Sequence, residues 1–339
     1  MSPSSATSRL SDIRLSVLDL APVRQGGSIA ETLANSQSLA RHAESLGYTR
    51  FWLAEHHNAE GIASAATSVL IGHIAGATSR IRVGAGGIML PNHAPLIVAE
   101  QFGTLATLYP DRIDLGLGRA PGTDGITVRA LGRDPMSGVH DFPQQVAALQ
   151  GYLDDPVPGR QVYAWPGQGT KVPIWLLGSS GYSAQLAGQM GLPFAFAGQF
   201  APGYMLEALR LYRTSFRPSE VLDAPYVIAG IPLVAAENDA LAHYHATTQQ
   251  QKFLSLMRGH RIQLAPPVEE MDWSAQERAA VANHLGASIV GGPETLRVEL
   301  ERFIERTGVD ELLINSDFFD HADRLESYRI LADVWQGRR

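Results

Sequence analysis

Residues 14–56, RLSVLDLAPVRQGGSIAETLANSQSLARHAESLGYTRFWLAEH, carry the pattern on which the fold turns. A short apolar run rich in leucine and valine (14–22) is followed by a helical pattern (28–47). A second apolar run, RFWLAEH (50–56), comes next. In the middle segment Ile29, Leu33, Ser36, Leu39, Ala40, Ala43 and Leu46 recur every three or four residues, the period of one helix face. Gly47 stands where a left-handed glycine would stop that helix. The unit therefore reads strand, helix, strand.

The same unit recurs along the chain. Apolar runs at 81–90, 112–120, 172–180, 193–198, 226–236 and 311–317 alternate with helical patterns that continue to 335. Pro95 and Pro293 lie near helix starts, where a missing N–H costs little. About eight such repeats argue for parallel βαβ units. An open doubly wound sheet often places a G-x-G-x-x-G turn after its first strand, but here that strand runs into LDLAPVRQGGS, which lacks it. The expected fold is a closed (β/α)8 TIM barrel with extended loops at its C-terminal face, spanning 13–339 as one domain behind a flexible tail at 1–12. Residues 121–140, 155–171 and 260–288 read as long irregular connections of the kind that form lids or pocket walls.

Composition narrows the function. The 339 residues are 45% hydrophobic and 18% charged, with a formal net charge of −7 and no basic run, so a nucleic-acid partner is not expected. The absence of cysteine excludes disulfides, thiolate metal sites and Cys nucleophiles, and fits a reducing, cytoplasmic setting. The N-terminus lacks the apolar core of a signal peptide, and no long uncharged apolar run is present, so no membrane association is expected.

In a (β/α)8 barrel, chemistry sits at the C-terminal ends of the strands. Strand two ends in Glu55-His56-His57. Neighbouring strand residues point to opposite faces, so His56 and His57 do not readily share one ion, and no metal site is expected. His56, on the face of the small Ala54, is either a satisfied strand-end histidine or a catalytic or cofactor contact. In GSSGYSA (178–184) a helix begins directly after a strand. Its free N–H groups and the Ser180 and Ser183 hydroxyls form an anion site, compatible with an ordinary serine cap. Arg119, after Gly116 and Gly118, can offer a bidentate cation to phosphate or form a surface ion pair. Gly84, Gly86 and Gly87 leave room for a flat ring or mark a bulge. Trp165, Phe196, Phe200, Tyr204, Met257 and Trp273 are candidate pocket aromatics and thioethers, or ordinary packing.

Taken together, EHHNAEG, the long run from VGAGGIMLPNHAP through IDLGLGRAPGTD, and VPIWLLGSSGYSAQLAGQMGLPFAFAG resemble the bacterial luciferase-like monooxygenases, over roughly 13–335. The resemblance implies a barrel that uses reduced FMN, supplied by a separate NAD(P)H:flavin reductase. It also implies reaction with O2 through a C4a-hydroperoxide and oxygenation of a small organic substrate, as in natural-product tailoring or aldehyde-type oxidation, by a homodimer. It places His56 as the active-site histidine with Glu55 beside it, and a non-proline cis peptide at Gly86–Gly87 beneath the ring. It places the phosphate on Arg119 and on the loop of Gly178, Ser180, Gly181, Tyr182 and Ser183. The luciferase α-subunit has a reactive cysteine where this chain has Gly118, and its long mobile loop is not clearly matched in 237–292, so aldehyde specificity does not follow. A deazaflavin-dependent oxidoreductase of the same superfamily and a non-catalytic flavin-binding barrel are the alternatives. A metal-dependent barrel hydrolase is the reading outside that superfamily.

Overall fold

A computed structural model describes residues 10–134, 141–260 and 263–338. Eight parallel strands close into a barrel: β1 (Arg14–Asp19), β2 (Arg50–Leu53), β3 (Arg82–Met89), β4 (Ile113–Gly118), β5 (Ile174–Gly178), β6 (Phe194–Phe196), β7 (Val227–Ala235) and β9 (Glu311–Asn315). Closure runs through the β6–β7, β7–β9 and β9–β1 pairs. The (β/α)8 expectation therefore holds. A ninth strand, β8 (Ile289–Gly291), pairs with Leu233–Ala235, the end of β7 that continues beyond its pairing with β6 and β9.

The first helix, α1 (Ile29–Leu46), has the caps its sequence calls for. The Ser28 side chain accepts from the Glu31 N–H, and Gly47 adopts φ 88°. Helices α2 (Thr67–Ala77) and α3 (Pro95–Leu108) follow, and then two regions depart from the sequence reading. The 121–140 connection contains a short helix, α4 (Gly125–Ala130), capped by Asp124, whose carboxylate accepts from the Ile126 and Thr127 N–H groups. After α5 (Phe142–Leu153), α6 (Gly181–Gln189), α7 (Met205–Ser215) and α8 (Asp239–Met257), the 260–288 region contains α9 (Ala275–His284). A reciprocal capping box between Ser274 and Glu277 starts it. Helices α10 (Pro293–Thr307) and α11 (His321–Trp335) complete the chain. The expected tail falls mainly on residues 1–9, outside the described residues, and its end, Leu10–Asp12, is a 3-10 turn with Leu10 buried.

The barrel interior is layered, and the layers set the depth of the site. At the N-terminal end lies a charged plug. Arg50 donates to Glu311 Oε1 at 3.0 Å and to Asp114 Oδ2 at 2.8 Å, and Arg82 holds the other Asp114 oxygen at 2.6 Å. Trp52 Nε1–H donates to Asp114, and the Ser16 and Tyr226 hydroxyls donate to Glu311. Two carboxylates buried this deeply require such pairing. Above the plug sits an apolar layer that includes Leu18, Trp52, Trp175, Ile228 and Leu313. In it Trp52 and Trp175 meet edge to face at 5.3 Å. Above that layer the inward positions are small, and the space they leave is the mouth.

Strands β3 and β4 approach closely at this level. The register slips between Ala85 and Ile88, so a bulge is present. A Cβ on Gly87 would lie 2.7 Å from the Gly116 carbonyl oxygen. The glycines thus serve the bulge, while Gly86 and Gly87 also face the cleft, so the two readings of this run coexist. The Gly86–Gly87 peptide is cis.

Candidate active site

A cleft of about 360 Å³ opens at the C-terminal mouth of the barrel. Gly86, Gly87, Leu177, Ala195 and Leu313 are among the small or apolar residues of its lining. His56, Arg119, Gly178, Ser180 and Ser183 line the same cleft, so the fold brings together candidates from the ends of strands two, three, four and five.

The anion end is built by α6. Ser180 occupies its N-cap with extended ψ, but its side chain makes no capping bond. The first intrahelical bond is Ala184 N–H to Ser180 O at 3.5 Å, which leaves the Gly181, Tyr182 and Ser183 N–H groups as orphan donors. Gly178 lets Ser183 fold back over the strand end, since a Cβ on Gly178 would stand 2.6 Å from Ser183 Oγ. Arg119 lies with its guanidinium carbon 4.2 Å from the centre of the Tyr182 ring. Among the described residues Arg119 has no acidic partner, so the surface ion-pair reading finds no support there. Tyr182 is exposed and acts through its ring, while Gly181 packs toward Leu211 and Tyr204; neither lines the cleft. An uncapped helix N-terminus beside an acid-free arginine is the donor set that a phosphate monoester needs.

His56 is half-buried. Its Nδ1–H donates to the Gly122 carbonyl at 3.1 Å, which leaves Nε2 as the ring's acceptor. Burial lowers the pKa, and nearby Lys252 adds to this, while the Gly122 bond opposes it; the net shift is downward from 6.5. At neutral pH the ring is therefore an uncharged base. Phe200 stands edge-on to it at 6.3 Å.

Glu55 behaves differently from its neighbour. It is 1% exposed and does not line the cleft, which removes it from direct contact chemistry there. Its Oε1 accepts from His57 Nε2–H and His93 Nε2–H, both at 2.8 Å, and its Oε2 accepts from the Met89 N–H at 3.1 Å. The three ligand-type atoms lie within 4.8 Å of one another, a spacing open to a cation, but both contacts to Glu55 are closed as hydrogen bonds. Burial pushes this carboxyl up, yet the His93, His57 and Met89 bonds outweigh it and hold the pKa below the ordinary 4.5. Glu55 thus bolts the end of β2, just before His56, to the end of β3. His57 belongs to this clamp, and strand alternation correctly separates it from His56. Glu55→Gln should lower unfolding free energy by about 1–3 kcal/mol, because a buried charge-assisted acceptor is lost; urea titration reads the change as a shift in midpoint.

Of the other pocket candidates, Phe196 and Phe200 line the cleft, whereas Trp165, Tyr204 and Met257 are exposed away from its lining. Trp273 lines a separate surface depression with His243 and Arg278. Gln199, on the segment after β6, lines the cleft without having been singled out in the sequence.

This geometry defines a (β/α)8 barrel with an uncapped helix N-terminus beside Arg119, a small-residue floor and one neutral imidazole at its C-terminal face. The family model for luciferase-like monooxygenases matches residues 13–311, and the chain belongs to that family. It is similar to uncharacterized protein YvbT of Bacillus subtilis (strain 168), with 58% identity over 96% of this chain and 98% of the relative. A luciferase-like monooxygenase of Escherichia coli (strain K12) is 50% identical over 95% of this chain and 97% of its own. The crystal structure of apo-MsnO8 superposes with a TM-score of 0.89 at 38% identity, covering 96% and 98% of the two chains.

Proposed function

We propose that this luciferase-like monooxygenase is the oxygenating component of a two-component system, taking reduced FMN from a separate NAD(P)H:flavin reductase and using O2 to oxygenate a small organic substrate. The observation that carries the reading is the pairing, in one otherwise largely apolar cleft, of the uncapped α6 N-terminus with the acid-free Arg119. Together they suit the phosphate that distinguishes FMN from riboflavin. Two solved structures with this fold, both 17% identical to the chain, hold FMN in one case and an F420–acetone adduct in the other.

When bound, reduced FMN would supply the electrons that activate O2. The chain's own residues do the rest. Arg119, Ser180, Ser183 and the α6 N–H groups bind the phosphate. Gly86, Gly87 and Leu177 accept the ring. Phe196 and Phe200 displace water from the wall, which protects a reactive intermediate from side reactions. His56 takes or returns one proton at Nε2. As part of the same proposal, the working unit is a homodimer, which light scattering measures directly.

The deciding experiment combines the protein with a flavin reductase, NADH, FMN, O2 and a panel of organic sulfides, ketones, aldehydes and alkanes. A product heavier by one oxygen atom is expected. Failure on every substrate, together with binding of F420 in preference to FMN, would overturn the proposal in favour of the deazaflavin reading.

A further inference from the structure

Gln199 is the cleft residue left without a task. It is 7% exposed, and its Oε1 is buried with no hydrogen-bond partner. Buried carboxamide oxygens nearly always have a partner, since removal from water without replacement is costly. The fold makes room for this group. Gly230 on β7 stands two residues beyond Ile228, which faces the barrel interior, so position 230 faces inward as well. A Cβ on Gly230 would collide with Gln199 Oε1 and stand 3.2 Å from its Cδ. The carboxamide therefore occupies the inward space that the glycine vacates, at the wall of the mouth.

We infer that Gln199 is the hydrogen-bonding partner of the pyrimidine edge of the flavin ring, with Oε1 accepting from ring N3–H and the side-chain amide donating to an adjacent ring carbonyl. This deepens the flavin reading and rests on it. The isoalloxazine carries N3–H between two carbonyls in both its oxidised and its reduced form. A ring seated in the cleft strips water from that N–H, which then needs an acceptor. Apart from Arg119 and the serines of the anion end, the cleft-lining side chains are glycine, alanine or apolar, except for His56 and Gln199. His56 offers one acceptor and no second group, because its Nδ1–H is spent on Gly122. Gln199 alone carries a donor and an acceptor in one plane, the complement of an N–H beside a carbonyl, and a turn of its side chain away from Gly230 would bring the buried Oε1 to the ring.

The test uses the full chain, with riboflavin and 3-methylriboflavin as ligands and their fluorescence as the signal. The methylated ligand replaces the N3–H donor with a methyl group, and the flexible methionine of the variant gives that methyl room. The wild type should prefer riboflavin about tenfold. Gln199→Met, similar in volume and unable to bond, should bind riboflavin about tenfold more weakly and distinguish the two ligands less than twofold. Gln199→Glu keeps an acceptor in place and should retain the preference, which covers the case in which the methionine variant fails to fold. A Gln199→Met protein that is folded and binds riboflavin as tightly as the wild type, or keeps the full preference, overturns the inference while leaving the flavin reading intact. So does a Gln199→Glu protein without the preference. A wild type that binds no flavin at all overturns the flavin reading, and the assignment of Gln199 with it.

Discussion

His56→Ala should leave FMN binding within about threefold of the wild type and lower oxygenation about 10²–10⁴-fold, the usual worth of one positioned proton-transfer group. The expectation rests on a fixed tautomer. The Gly122 carbonyl takes Nδ1–H, so the lone pair sits on Nε2, and the edge of Phe200 steadies the ring. In the proposed reading phosphate is held elsewhere, by Arg119 and α6, so binding and turnover should separate in this variant. The pH dependence carries a defined sign. Burial lowers the His56 pKa below 6.5, so the basic form prevails at neutral pH. Activity should be full above that lowered pKa and fall as pH drops through it, because protonation removes the acceptor at Nε2. In the alanine variant that acid limb should vanish from the residual rate. Product formation at saturating reduced FMN, measured across pH, checks both parts. Normal turnover by His56→Ala would sink the assignment.

The barrel was legible because each strand is a short run bounded by turns and each helix shows its own period. The places where the reading fell short have local causes. Helix α9 has its start signal in plain view, the S-x-x-E box of Ser274 and Glu277, yet its exposed, alanine-rich face gives little apolar period to find. Asp124 before α4 is a similar signal on a helix too short for periodicity to show. Strand β8 is three residues long and exists because β7 overruns the barrel and offers its edge, which is information from a distant segment.

The site divides in the same way. Strand-end position and free N–H groups point to His56, Arg119 and Ser180 from the sequence alone. Alternation also places Glu55 and His57 on the face opposite His56. What it does not contain is His93, whose ring reaches Glu55 only after β3 is laid beside β2. The resemblance sets Glu55 beside the active-site histidine, where the structure shows it in a clamp behind the cleft. Gln199 sits in FAFAGQF, which reads as the frayed end of a strand. Its burial depends on Gly230, a glycine on the next strand that looks in sequence like a weakness in β7.

Arg119→Met should raise the dissociation constant for FMN about 10–100-fold while changing that for riboflavin less than twofold, since a hydrogen-bonded charge pair contributes about 1.5–3 kcal/mol. Three observations set the size of the effect. The guanidinium has no acidic partner among the described residues, so its removal leaves no carboxylate stranded and little folding cost. It lies against the Tyr182 ring, which holds the fork in place before any ligand arrives and reduces the rotamer entropy lost on binding. It works beside the α6 N–H groups, which remain in the variant and keep part of the affinity. Methionine retains the apolar stem over Tyr182, so the difference between the two ligands reports charge rather than packing. Fluorescence titration of FMN and riboflavin at two salt concentrations measures it. The FMN advantage of the wild type should shrink as salt rises, because a half-buried cation is partly screened. Equal losses for both ligands would mean that Arg119 shapes the cleft without holding phosphate, and the anion cradle would then have to rest on α6 alone.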